Sequence, residues 1–194
     1  MVRPRTTTDE ALLAATARAI GLHGLNGLTL AAVAGEAGVS PATLVQRFGS
    51  KRGLLLALAQ RSEAGTKELF RRAREEHTSA LAALHGVLVE MAADVRSPQE
   101  LANHLGFLQL DLADEEFRRH AATQARVLHE GFTELIEEAV EAGELVSGVD
   151  PARLARSVQI AYNGSLIVWA LTSNSPLADE LRADVDQLLQ AYLP

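Results

Sequence analysis

The 194-residue chain contains no cysteine. That removes disulfides, thiolate nucleophiles and cysteine-ligated metals from consideration. Aromatic residues make up only 4% of it, and no alternating apolar run bounded by turns marks a strand. The amino terminus, MVRPRTTTDEALL, has two arginines but no apolar run behind them, so it lacks the core of a secretory signal. A cytoplasmic protein is expected. Residues 157–178 carry no charge over 22 positions, long enough to raise the question of a bilayer span. Gln159, Asn163, Gly164, Asn174 and Pro176 interrupt the run, and a buried helix is expected there instead, with no membrane partner.

Acid is scarce in one place only. Residues 1–61 hold seven Lys and Arg against three acids, a charge of +4, whereas residues 62–194 hold 11 against 22, a charge of -11. A basic head on an acidic body points to a polyanion that meets the head alone.

What is abundant is helix former. Leu, Ala and Glu, with caps and stops at regular intervals, predict an all-α chain of about nine helices. Thr7 with Glu10 forms a capping-box pattern for a first helix to about His23, ended by Gly24. Thr29 caps a short second helix that Gly38 stops, and Ser40 caps a third. Ser50, Ser79, Ser97, Asp114 and Asp150 open longer helices, and a last one follows Pro176.

Only Gly38, Val39 and Ser40 separate the second and third helices. So tight a connection sets two short helices at a steep angle, the helix-turn-helix arrangement. Pro41 suits the first helical position because its missing N–H would have no partner there. Leu44 and Phe48 are expected to face inward, leaving Ala42, Thr43, Gln46 and Arg47 outward with no acid among them. Small residues let a helix enter the major groove, and Gln46 and Arg47 can bond base edges or phosphates. The free amides capped by Ser50, with Lys51 and Arg52 beside them, suit a backbone phosphate.

Across residues 8–58, the run GLNGLTLAAVAGEAGVSPATL, then Phe48, then GSKRGLLLAL resembles the amino-terminal domain of the tetracycline-repressor (TetR) family of bacterial transcriptional regulators. The resemblance implies a helix-turn-helix DNA-binding domain over residues 1–50. Residues 51–194 would then form a larger helical ligand-binding and dimerisation domain. It further implies a homodimer on a pseudo-palindromic double-stranded DNA operator, read as a repressor and released by a small-molecule effector. Carried over by position, Thr29, Pro41, Ala42, Thr43, Gln46, Arg47 and Lys51 are the expected DNA contacts. Val45 departs from the family, which usually has a tyrosine there that touches the DNA backbone.

In the body, the helix after Asp150 is apolar nearly all round, so it must be covered on several sides. Either a central place within one monomer or a second subunit would cover it; the second is expected, because the resemblance implies that Leu181, Val185, Leu188, Leu189 and Tyr192 of the final helix complete a four-helix dimer interface through the last two helices. In the helix after Pro98, Leu101, Leu105, Leu108 and Leu112 are expected to form the core stripe, with His104, Phe107 and Asp111 beside it. Those three, with Tyr162, Asn163 and Trp169, are the expected contacts of a mostly apolar effector.

An enzyme is not expected. The residues three before the six histidines are Ile20, Arg74, Ala82, Leu101, Phe117 and Arg126, so the Glu-x-x-His carboxylate metal motif is missing. Gly21, Gly24 and Gly27 follow no strand, and no phosphate loop or GxSxG elbow occurs. No catalytic residue, metal or cofactor is assigned. The rival readings are a helical protein-binding adaptor and a small-molecule-binding protein without DNA activity.

Overall fold

The computed structural model describes residues 7–172 and 175–194, leaving Arg3, Arg5 and Asn174 of the sequence reading outside it. Among the described residues there are nine α-helices and no strand: α1 (Asp9–Gly27), α2 (Leu30–Ala37), α3 (Pro41–Phe48), α4 (Lys51–Glu76), α5 (Ala80–Met91), α6 (Pro98–Ala113), α7 (Glu115–Glu141), α8 (Pro151–Thr172) and α9 (Leu177–Leu189). A short 3₁₀ turn, Gln190–Tyr192, follows α9. None of these helices is long and apolar enough to cross a membrane.

The starts are where side-chain oxygens can catch free amides. Thr29, Ser40 and Ser79 accept from the N–H three residues on. Ser50, Ser97 and Asp150 do the same for Gly53, Glu100 and Arg153. Asp114 accepts from the N–H groups of Glu116 and Phe117. The first start is displaced by one residue: Thr8, not Thr7, caps α1 by accepting from Ala11. Glu10 does not fold back to make the capping box; its carboxylate pairs with Arg61. Gly24 breaks α1 as expected, with φ 63° and ψ 171°, but helical turns resume to Gly27.

By packing the chain forms two units, Met1–Ser62 with Ala102–Ala121, and Glu63–Leu101 with Ala122–Pro194. In the first, Leu12, Ile20, Val33, Leu44, Leu54 and Phe117 are buried together. In the second, the core gathers Phe70, Leu84, Leu88, Phe132, Ile136 and Val158. There the Phe70 and Phe132 rings meet edge to face at 5.1 Å. Glu144, past the end of α7, accepts from Ser79 Oγ and from the N–H groups of Ala80 and Leu81, so it completes the cap of α5. Partial burial raises its pKa, but those bonds together outweigh it and hold the carboxyl below its usual value.

Two apolar patterns settle differently from expectation. On α6 only Leu101 of the expected stripe is buried, while Leu105, Leu108 and Leu112 are exposed. The packed side is the neighbouring strip: Phe107 and Leu110 join the first unit's core, Gly106 lies against Leu25, and Asn103 Nδ2 donates to Gly21 O at 2.7 Å. A glycine and an amide beside that strip allow a close approach that a row of leucines would block. On α9, Leu181, Val185 and Leu189 face their own unit and are at most 2% exposed. They are therefore not available to a partner.

One glycine carries a strict steric requirement. A Cβ on Gly53 would stand 2.1 Å from the Phe48 carbonyl oxygen, a backbone atom that cannot step aside. Gly53→Ala is expected to destabilise the fold by about 2 kcal/mol or more. Urea denaturation followed by circular dichroism checks this, and an unchanged midpoint would contradict the close approach.

Candidate nucleic-acid interface

The α2–α3 connection is built from three local devices. Gly38 takes the left-handed conformation (φ 66°, ψ 32°) that a side chain would resist. Its N–H bonds Gly35 O, and the N–H of Val39 bonds Ala34 O at 3.0 Å, the paired pattern of a Schellman stop. Ser40 Oγ then accepts from Thr43 N and shares a hydrogen bond with Thr43 Oγ1 at 3.0 Å. At the far end Gly49 (φ 75°) closes α3, its N–H bonding Val45 O at 2.8 Å.

Orientation follows from one side chain. Leu44 is fully buried, with Phe48 half-buried beside it and Val39 packed on the same core. Pro41, Ala42, Val45, Gln46 and Arg47 are exposed, Thr43 is half-buried, and α3 holds no acid. The outward face is thus small at its start, apolar at Val45 and hydrogen-bonding at its end.

The basic residues around it are already engaged. Arg47 Nη1 donates to Asp9 Oδ1 at 2.5 Å, and its Nη2 donates to Thr7 O at 3.2 Å. Lys51 Nζ donates to Leu25 O at 2.9 Å, satisfying a carbonyl past the break in α1. Arg52 pairs with Asp114 at 3.2 Å and Glu116 at 2.8 Å, and lies 5.1 Å from the Phe117 ring centre. Arg18 pairs with Glu36. Thr29 is exposed and caps α2 through Ala32 N. Asp9 is the neighbour of Arg47 that sequence reasoning missed, because the two lie 38 positions apart and no local spacing marks the pair.

The six effector candidates divide between the units. In the first, the His104 ring lies against Gly21, and Phe107 meets Phe117 edge to face at 5.9 Å. Asp111, half-buried, has its pKa pushed up to about 6 by burial. In the second, Tyr162 and Trp169 pack with Leu177 and Leu181. Trp169 Nε1 donates to Ser175 O at 2.8 Å, and burial pushes the Tyr162 hydroxyl up to about 12. Asn163 is exposed, donating to Gln159 O. A cleft of about 380 Å³ opens in the first unit, lined by His23, Asn26, Asn103 and Gln109 among others. One of about 510 Å³ in the second is lined by charged residues of α4 and α7. Neither is lined by the six. Among the described residues no group of three His, Asp or Glu could hold a metal.

Comparison with known proteins accounts for nearly the whole chain. Residues 12–58 match the family of bacterial regulatory proteins named for tetR, and residues 80–194 match the carboxy-terminal family of BetI-type transcriptional repressors. The HTH-type transcriptional regulator BetI of Agrobacterium fabrum is 30% identical over 172 residues, covering 84% of this chain and 77% of the relative. The regulator of the same name from Rhizobium meliloti is 30% identical over 177 residues, 88% and 81% of the two chains. Among solved structures, a TetR-family regulator from Rhodococcus sp. superimposes with a TM-score of 0.68 at 25% identity, over 93% of this chain and 97% of that one. A TetR regulator from Haloarcula marismortui gives 0.76 at 20% identity, over 96% and 98%, a likeness of fold. The class is a helix-turn-helix transcriptional regulator, and these relatives are named as regulators rather than enzymes. The chain belongs to the TetR family, with a BetI-type carboxy-terminal part.

The raised pKa of Asp111 has a sign that can be checked. Between its unfolded value of 3.8 and about 6 the folded chain binds the extra proton, so this group's contribution falls as pH rises through that window. Asp111→Asn is therefore expected to stabilise the protein at pH 7.5 by on the order of 1 kcal/mol, discounted for solvent screening. The gain should vanish near pH 4. Equal gains at both pH values in thermal unfolding would contradict the assignment.

Proposed function

We propose that the chain is a cytoplasmic repressor that binds a pseudo-palindromic operator as a homodimer and releases it when a small, mostly apolar effector binds. In this reading residues 1–50 form the DNA-binding part and residues 51–194 the effector-binding and dimerisation part. The observation that carries the reading is the outward face of α3, free of acid and small where it would enter the groove. Pro41, Ala42, Thr43, Gln46 and Arg47 would meet the duplex directly. Thr29 and Lys51 would contact phosphates at its edge, and Val45 would contribute apolar contact where the family's tyrosine is absent.

A second copy is supported by α8. Ile160, Ile167, Val168 and Leu171 are 40–79% exposed, and exposed Gly164 has open space around it. Their spacing puts all five on one side of the helix. A contiguous apolar stripe of this kind marks an interaction surface, and twofold pairing through α8, with α9 alongside, would present two heads to one operator. For the effector, His104, Phe107 and Asp111 in the first unit and Tyr162, Asn163 and Trp169 in the second remain the proposed contacts, each set taken by itself.

Two variants test the reading against duplexes enriched from a random pool. Arg47→Ala should remain dimeric and bind about tenfold more weakly or worse. Leu171→Glu should sediment as a monomer and lose operator binding. Unchanged affinity in the first, or a stable dimer in the second, would contradict the corresponding assignment.

A further inference from the structure

Every arginine of residues 7–61 has an acidic partner: Arg18 with Glu36, Arg47 with Asp9, Arg52 with Asp114 and Glu116, and Arg61 with Glu10. One of these pairs lies on the reading helix itself. Arg47 lies in the last turn of α3, and both of its terminal nitrogens turn back to the start of α1, one to the Asp9 carboxylate and one to the Thr7 carbonyl. Asp9 is solvent-exposed, its side chain retaining 58% of its accessible surface, and its carboxylate takes up a guanidinium N–H of the kind that bonds phosphate and base-edge oxygens.

We propose that Asp9 is an internal competitor for DNA, a carboxylate that occupies Arg47 in the free protein and must be exchanged for a nucleic-acid acceptor on binding. This rests on the groove contact proposed above and adds a residue that sets how tightly any duplex is held. The physical reason is an exchange of like for like. A guanidinium already bonded to a carboxylate gains only the difference between two anionic acceptors when it moves to a phosphate. A generic phosphate therefore adds little, whereas a guanine offering O6 and N7 together provides the two-pronged acceptor that outcompetes one carboxylate oxygen. Asp9 thereby lowers indiscriminate affinity more than it lowers affinity for the operator. The cost to the fold is small, because an exposed ion pair contributes little to stability.

The neighbouring acid provides the control. Glu10 is the next residue, carries the same charge and pairs with Arg61, which is not on the reading helix. Asp9→Asn and Glu10→Gln remove one negative charge each from nearly the same place. Binding to a fluorescent duplex of about 30 random base pairs is measured at about 50 mM salt. Asp9→Asn is expected to bind about threefold more tightly than the parent, and Glu10→Gln to gain clearly less, since its partner Arg61 is not on the reading helix and its charge acts only through the general field. In an Arg47→Ala background the gain from Asp9→Asn should shrink to that of Glu10→Gln. Thermal midpoints read on the same samples confirm that each variant is folded.

Equal gains from the two single variants, a gain that survives Arg47→Ala, or weaker binding by Asp9→Asn would each overturn the proposal. The last would make Asp9 a support that aims Arg47 at the DNA. If the parent protein shows no salt-dependent duplex binding at all, the DNA-binding reading falls and this one with it.

Discussion

The helix α3 cannot stand alone, and the burial of Leu44 is the constraint on which its proposed use depends. Eight isolated residues do not hold a helix in water. What fixes α3 is one fully buried leucine, worth about 2 to 5 kcal/mol against its truncation, together with a cap at Ser40 and glycine stops at Gly38 and Gly49. With Leu44 inward, the helical period leaves no choice about Ala42, Val45 and Gln46: they face out. The absence of room between Gly53 and Phe48 O joins the end of α3 tightly to the start of α4. The geometry of the head is therefore set by backbone turns and one side chain, leaving the outward residues free to suit a ligand.

That division explains why so much of the head was legible in the sequence. A cap hydrogen bond spans three residues and a glycine stop spans five, so Ser40, Ser50 and Gly38 announce themselves in the local text. The error at α1 is of the same local kind. Thr7 and Thr8 are both competent caps, and the capping-box pattern favoured the wrong one because Glu10 has a stronger partner in Arg61, 51 positions away. The face of α6 was not legible, since leucines at 101, 105, 108 and 112 and the strip through Phe107 and Leu110 are both apolar. The choice between them is made by what approaches, here Leu25 against Gly106 and the Gly21 carbonyl on Asn103. For α8 the sequence said only that the helix is apolar nearly all round; which side the chain itself covers, through Leu154, Val158 and Trp169, is a tertiary fact.

Charge tells a similar story at two scales. The head's surplus of +4 is a property of the sequence, and it matters for approach to a polyanion at a distance. At contact range its described arginines meet carboxylates and Lys51 meets a carbonyl, so none of these described cations stands waiting for a partner. On the proposed groove contact, binding a duplex means exchanging partners. Such exchanges are sensitive to salt and to acceptor geometry, which is the behaviour a regulator needs in order to sample many sequences and remain on few.

The central claim, that the exposed face of α3 enters the major groove, is tested most directly by methylation interference. Guanine N7 lies on the major-groove edge, so duplexes recovered from a random pool can be methylated there sparsely and sorted into bound and free fractions. The expected result is exclusion of methylated guanines in two short clusters one helical turn apart, about 10 base pairs. Methyl groups distributed equally between the two fractions would contradict it.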